Sequence, residues 1–210
     1  MNKEIKEQKI LSTAREQFSQ AGYYGARMDA IASESKINKR IVYEFCKTKE
    51  RLYLIVLSDV SIEVQNAFDH WFSKLPQNTD PVAIYNSLIH ILESNPYFVR
   101  LWAWERLSVT IHGMRILETV NTCFAKLRSF ITQKSPTISD QQFEAIEALC
   151  HGYMLTAAMY LKCDPDIDEA ETPTAAKPES SPACQKLDMS MTCQAVLMES
   201  IKTILLANNA

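Results

Sequence analysis

Apolar side chains recur at intervals of three and four along most of this chain, and strict alternation of apolar and polar residues is hard to find. With only four glycines in the sequence, that periodicity predicts an all-helical protein. The first stripe, Leu11, Ala14, Phe18 and Ala21, stops at Gly22, a residue that tolerates the left-handed conformation of a helix C-terminus. A short helix follows with Met28, Ile31 and Ala32, and a second runs from about Asn38 to Phe45. Thr48 is placed to cap a long helix, with Glu50 in its first turn. That helix carries Leu52, Ile55, Val56, Val60, Val64 and Phe68 on its apolar side.

Further along, "LPQNTDP" (75–81) reads as a turn and a helix over roughly 82–94 follows. In "SNPYF", Asn95 suits a cap and Pro96 the first helical position. "YFVRLWAWERL" is apolar on several faces, which places it near the centre of its domain. Helices at about 114–134 and 139–163 come next. Residues 164–186 hold four of the eight prolines, six acids and almost no large apolar side chain, and read as a mobile loop. A last helix, about 187–207, presents Leu187, Met191, Met198, Ile201 and Leu205. The expected architecture is all-α: a three-helix N-terminal domain over residues 1–50 and a larger helical domain over 51–210.

Composition narrows the class. Of 210 residues, 47% are apolar and 22% charged, as in ordinary soluble domains. No run of about 18 apolar residues suggests a membrane span. The opening "MNKEIKEQK" is charged where a secretory signal would be apolar, so a cytoplasmic protein is expected. The cysteines at 46, 123, 150, 163, 184 and 193 lack any C-x-x-C spacing, which favours reduced, mostly buried thiols over a zinc or redox pair. An oxidation-sensing thiol is the alternative. Histidines 70, 90, 112 and 151 fall on separate helices without H-x-x-x-H spacing, so neither a metal nor another cofactor is expected. Nucleophile elbows, phosphate-cradling glycine loops and paired acids in a motif are absent from the sequence. Cys150 and His151 are adjacent, so on a helix they face apart; no catalytic residue is assigned and the chain is not read as an enzyme.

Charge is what singles out one segment. Residues 1–50 carry ten Lys/Arg against seven Asp/Glu, a net +3, while residues 51–210 carry twelve against eighteen, a net −6. A basic head on an acidic body is the asymmetry expected when one part meets a polyanion. Within the head, "SESKINKRIVYEFCKTKE" (33–50) gathers five cations around a small apolar skeleton. Short helices separated by a tight turn fit a helix-turn-helix, whose second helix enters the major groove while flanking groups hold phosphates. Ile37 and Val42 would be buried anchors; Lys39, Arg40, Ile41 and Tyr43 would face outward. Ile41 beside two cations makes sense if it meets a thymine methyl.

The stretch "ILSTAREQFSQAGYYGARMDAIASESKINKRIVYEFCKTKERL" resembles the N-terminal domain of the TetR (tetracycline repressor) family of bacterial transcription regulators. Ile10, Leu11, Ala14, Phe18, Gly22 and Tyr23 match the family's opening pattern without a gap. Met28, Ile31 and Ala32 match its M-x-x-I-A, and Ile37, Asn38, Lys39, Tyr43, Thr48, Lys49 and Glu50 match or conservatively replace its final block. The departures carry information too. Glycine is usual where Lys36 and Arg40 stand, and phenylalanine where Cys46 stands. Arg27 takes the place of a capping threonine and adds a possible phosphate contact. The resemblance implies Tyr43 and Lys49 as phosphate clamps, within a DNA-binding set of Arg27, Lys36, Asn38, Lys39, Arg40, Ile41, Tyr43, Thr48 and Lys49.

It also implies a homodimer on double-stranded, palindromic operator DNA, with the last two helices pairing against the partner's. Ala145, Ala148, Gly152 and Tyr153, and the apolar stripe of the last helix, are compatible with that interface. In the body, Tyr97, Trp102, Trp104, His112, Met114, Phe124 and Tyr153 suit a large apolar pocket for a small hydrophobic or aromatic effector. The reading is a ligand-responsive repressor. Alternatives are a regulator of the same fold that senses oxidation or a partner protein and, more remotely, a helical interaction or enzymatic protein without DNA binding.

Overall fold

The computed structural model describes residues 2–108, 114–133, 137–160 and 182–207, the last stretch with side chains from Cys193 onward. Among the described residues there are nine α-helices and no strand. The head consists of α1 (Lys3–Gly25), α2 (Met28–Glu34) and α3 (Lys39–Cys46). The body consists of α4 (Lys49–Ser73), α5 (Pro81–Glu93), α6 (Pro96–Leu107), α7 (Met114–Thr132), α8 (Asp140–Ala157) and α9 (Pro182–Leu206). No described helix is long and apolar enough to cross a membrane.

Local chemistry explains most boundaries. Thr48 Oγ1 accepts from the Arg51 amide at 3.1 Å, which caps α4. Asp80 caps α5 from the Ala83 amide, and Ser139 with Gln142 forms a reciprocal capping box at α8. Asn95 does not cap α6; its amide donates instead to the Ile91 carbonyl at 2.7 Å, holding the end of α5. The helix expected to reach residue 163 ends at Ala157, its last carbonyls taken up by tight turns through Tyr160. Residues 182–186, assigned by their composition to a mobile loop, form the first turns of α9, where Pro182 stands at the helix start and needs no intrahelical amide bond. The rest of that expected loop, through residue 181, lies outside the described residues.

α4 runs through the middle, packed against α1, α6 and α7. Its inner face buries Leu52, Tyr53, Val56, Leu57, Val60, Val64 and Phe68, while Ile55 of the expected stripe is half-buried. α6 is the other central element, burying Phe98, Val99, Leu101 and Trp102 as its apolar faces require.

Three groups of side chains stand out among the contacts between head and body. Arg15 on α1 bridges Asp59 (2.5 Å) and Glu63 (2.7 Å) on α4. Tyr53 on α4 donates its hydroxyl to Glu105 on α6 at 2.9 Å with both groups buried, and its ring packs on Phe18 and Tyr23 of α1. Burial, then the charge of Glu105, pushes the Tyr53 phenol well above its ordinary pKa, so it stays a donor. The third contact is Trp104 on α6, whose indole N–H donates to the Ser19 carbonyl at 3.0 Å. Its ring lies against Gly22, where α1 breaks with φ +65° before one further turn to Gly25. A Cβ on Gly22 would sit 2.8 Å from the indole. The glycine is therefore required twice, by its dihedral and by the ring above it.

Deeper in the body, His151 of α8 lies between Trp102 and Phe124, with ring centroids at 5.5 and 5.4 Å. Its Nε2 is buried without a hydrogen-bond partner among the described residues. Burial first, and then the positive charge of Arg106, lower its pKa from 6.5 and keep the ring neutral.

Gly22→Ala is expected to destabilise the protein by roughly 2–4 kcal/mol in urea unfolding, from left-handed strain plus the clash. In a Trp104→Ala background the penalty should shrink to the strain alone; an equal penalty in both backgrounds would contradict the packing role of the indole. For His151 the folded pKa lies below the unfolded one, so its contribution is complete above about pH 6.5 and declines as pH falls and the unfolded chain takes up the proton. Melting temperatures between pH 7.5 and 5.5 should therefore drop less steeply for His151→Phe than for the unaltered protein. Parallel pH profiles would show that the imidazole is not a source of acid sensitivity.

Candidate nucleic-acid interface

The head presents one basic face, and each part of it has a local cause. Ile37 and Val42 are buried beneath α3 together with Met28 and Ile31 of α2, so α3 is carried on an apolar base. The α2–α3 turn closes through the Lys36 amide to the Ser33 carbonyl and the Ile37 amide to the Ala32 carbonyl, both at 3.1 Å. Lys36 adopts φ +56° there, the left-handed conformation that a glycine would take without strain. Lys47, just beyond α3, does the same at φ +66°, which sequence reasoning missed because no glycine marks the position.

Asn38 is exposed, but its side chain is engaged: Oδ1 accepts from the Arg40 amide at 2.9 Å and caps α3. Thr48 is likewise engaged as the cap of α4. On α3 the outward side chains are Lys39, Arg40 and Tyr43. Lys39 pairs with Asp29 of α2 at 2.6 Å, a hydrogen bond that raises its pKa, and Arg40 pairs with Glu44 at 3.0 Å. Both pairs are solvent-exposed and therefore weak, so either cation can exchange its carboxylate for a phosphate. Arg27 is exposed at the N-cap position of α2 and makes no side-chain cap bond there. Lys49 lies half-buried at the start of α4, with its ammonium 4.9 Å from the Tyr23 ring centroid and 3.5 Å from the Tyr24 carbonyl; burial lowers its pKa.

Ile41 departs from the expectation. It is half-buried and lines a cleft with Ile10 of α1 and Phe45, because its place on α3 turns it toward α1 and away from the outer face. Lys3 and Lys6 of α1 border the same cleft together with Glu7 and Glu44, and Lys3 pairs with Glu7 at 3.8 Å. Sequence reading passed over them for want of a motif.

The body residues expected to line one effector pocket are dispersed. Trp102 and Phe124 are buried and both lie against His151, which the sequence had set aside as the neighbour of Cys150. Tyr153 is buried and donates its hydroxyl to the Glu93 carboxylate. Tyr97 sits in a surface cleft under the Arg15 guanidinium. Met114 is exposed at the start of α7, Trp104 is exposed beside α1, and His112 lies outside the described residues.

The last two helices also require a correction. Leu197 and Ile201 are buried, and Met198 and Leu205 half-buried, so the described part of the α9 stripe is packed within the chain against α5 and α8. The side chains of Leu187 and Met191 lie outside the described residues. What faces outward is Ala195 and Val196 on α9 with Ala145, Ala148, Leu149 and Gly152 on α8; Tyr153 points inward. Space is open over the Gly152 Cα.

Burial pushes the Cys123 and Cys150 thiols up to about 12 and raises that of Cys46, so all three disfavour the reactive thiolate. Among the described residues no cluster of His, Cys, Asp or Glu is arranged to hold a metal ion.

Comparison with known proteins agrees with this geometry. Residues 10–56, spanning α2, the turn and α3, match the bacterial regulatory proteins of the tetR family. The chain is 28% identical over 111 residues to the HTH-type transcriptional repressor NicS of Pseudomonas putida, covering 50% of each. It is 27% identical over 137 residues to the HTH-type transcriptional regulator RutR of Escherichia coli K12, covering 64% of this chain and 60% of that one. The chain thus spans about half to three fifths of the length of these curated relatives. Among solved structures, a putative transcriptional regulator, SCO4942 from Streptomyces coelicolor, superposes with a TM-score of 0.56 at 23% identity, covering 94% of this chain and 97% of that one. A transcriptional regulator (TerR/AcrR family) from Aquifex aeolicus VF5 does so at 0.63 and 16%, covering 95% and 99%. At those identities the likeness is one of fold. Through residues 10–56, in the setting of that shared fold, the head of the chain is similar to the tetR family of bacterial regulatory proteins.

Proposed function

We propose that this protein is a homodimeric transcriptional repressor that binds a palindromic operator through α3 and is released from it when a small apolar molecule occupies the body. The observation that carries the reading is the outer face of α3, where Lys39, Arg40 and Tyr43 stand clear of a buried base and are flanked by Lys36, Arg27 and Lys49. Arg40 and Lys39 address base edges, and the flanking cations with Tyr43 address phosphates. Ile41 is reassigned to packing against α1.

Two copies would meet through the outward face of α8 and α9, where Ala148, Leu149, Gly152 and Val196 allow close approach. The Tyr53–Glu105 and Trp104–Ser19 bonds support transmission, because any shift of α6 reaches α4 and α1 directly. Effector and operator affinities are then reciprocally coupled. NicS, named a repressor, favours that sign of regulation.

The test is fluorescence anisotropy of labelled duplexes from the region upstream of the protein's own gene, titrated at several salt concentrations. Saturable binding that weakens linearly in log salt is expected, and no preference over unrelated duplex would overturn the reading. Within that assay Arg40→Ala should lose about 1–3 kcal/mol and relax discrimination at one base position. Lys49→Ala should weaken all sequences alike and flatten the salt slope by about one unit. Lys36→Gly should stabilise the fold by about 1 kcal/mol through relief of the left-handed strain while also flattening that slope. A Lys36→Gly protein that is no more stable, yet binds DNA normally, would contradict both halves of that assignment.

A further inference from the structure

Lys36 and Arg27 precede α3, and Lys39 and Arg40 lie on it. Two further cations stand beyond its other end. Lys47 follows α3 directly and Arg51 belongs to the first turn of α4; both are exposed, and neither side chain has a hydrogen-bond or ion-pair partner among the described residues. Glu44 is taken by Arg40, and Glu50, the acid between the two cations in sequence, pairs with neither. Burial raises the pKa of the Cys46 thiol, and the charges of Arg51 and Lys47 both act against that rise, so the two cations lie close around the same buried group. Like charges held close repel, and a shared anion relieves the repulsion. The backbone adds a second observation. Lys47 adopts φ +66°, a conformation that suits glycine, and strain of that kind gathers where a side chain has a function.

We propose that Lys47 and Arg51 form a second phosphate clamp, which grips the DNA backbone beyond the C-terminal end of α3. The eight residues of α3 span about 12 Å at 1.5 Å each. Successive phosphates of one strand rise by only about 3.4 Å, so cations beyond the two ends of α3 meet different phosphates. Lys36 serves one end, and Lys47 with Arg51 the other. Arginine takes a phosphate in a bidentate fork while lysine adds a point charge, so one phosphate can satisfy both. The clamp reads no bases. It adds affinity for any duplex and fixes how far α3 slides along the groove. The clamp rests on the DNA binding proposed above and extends the contact to a part of the head outside the assigned set.

Fluorescence anisotropy of the full-length protein on two labelled duplexes, one from upstream of its own gene and one of unrelated sequence, tests the clamp across a salt series. The double variant Lys47→Gln with Arg51→Gln should weaken both duplexes about tenfold or more at roughly 0.1 M salt and flatten the log–log slope by about 1.8 per protomer bound. Both side chains are exposed and unpaired, so the melting temperature should stay where it is in the unaltered protein. Lys47→Arg keeps the charge and should keep the slope. Arg115→Gln removes an exposed cation from α7, away from the head, and should change neither affinity nor slope. An unchanged slope in the double variant, or a loss no larger than that of Arg115→Gln, would overturn the clamp. So would a loss confined to the upstream duplex, because these residues would then be reading bases. Binding of neither duplex by the unaltered protein sinks the clamp together with the function proposed above. Equal binding of the two duplexes, weakened in the double variant, removes the operator-specific function and keeps the clamp, whereas a preference for the upstream duplex that the double variant retains at full strength does the reverse.

Discussion

A left-handed glycine under a tryptophan ring is the constraint from which the arrangement of head and body follows. α1 has to pass close enough to α6 for the Trp104 indole to reach the Ser19 carbonyl, and only a residue without a Cβ fits beneath the ring. With α1 fixed there, Phe18 and Tyr23 close on Tyr53, and Tyr53 reaches Glu105. The buried tyrosine–carboxylate pair is stable only with its geometry intact, because a carboxylate taken out of water needs its donors. Three helices from different parts of the chain are thereby held as one joint. The basic face of α3 is not part of that joint but inherits its position from it through α1 and α4.

The head and the body use charge in opposite ways. In the joint, Arg15 is committed to Asp59 and Glu63, half-buried and multiply bonded. On the outer face the pairs of Lys39 with Asp29 and Arg40 with Glu44 are open to solvent, where screening and side-chain entropy leave little net attraction. The first kind of pair holds structure and the second kind holds cations ready for another anion. Strain is placed with the same economy: Lys36 and Lys47 take left-handed backbone at the two ends of α3, so the turns stay tight while both positions keep a cation.

Much of the head was legible along the chain because its devices are local. Thr48 caps a helix whose amide lies three residues away, Ile37 and Val42 bury by periodicity, and Lys36 stands where the turn takes a left-handed residue, whereas Asn38, read as the first helical residue and a DNA contact, proves to be a cap. Each depends on spacings of a few residues, which the sequence displays directly. Ile41 misled because its one-residue offset from Val42, about 100° around the helix, leaves it on the boundary between faces, and which side it joins depends on where α1 lies.

The body was legible only as helices. Periodicity located α4 to α9 and marked α6 as central, since an element apolar on several faces has to be enclosed. It did not say which apolar face meets which. The described part of the α9 stripe, Leu197, Met198, Ile201 and Leu205, turned inward to α5 and α8, and the effector residues scattered instead of converging, because partner choice is a property of packing among distant segments. Trp104 is 85 residues from the Ser19 carbonyl it bonds, and Tyr53 is 52 from Glu105. His151 gained its place only when α6 and α7 brought Trp102 and Phe124 to either side of it. The sequence by itself determined the helices, the Thr48 cap and the basic face of the head, because those interactions close within a turn. The tertiary structure alone decided the joint and the place of the half-buried imidazole, because each is made by side chains that become neighbours only after the helices pack.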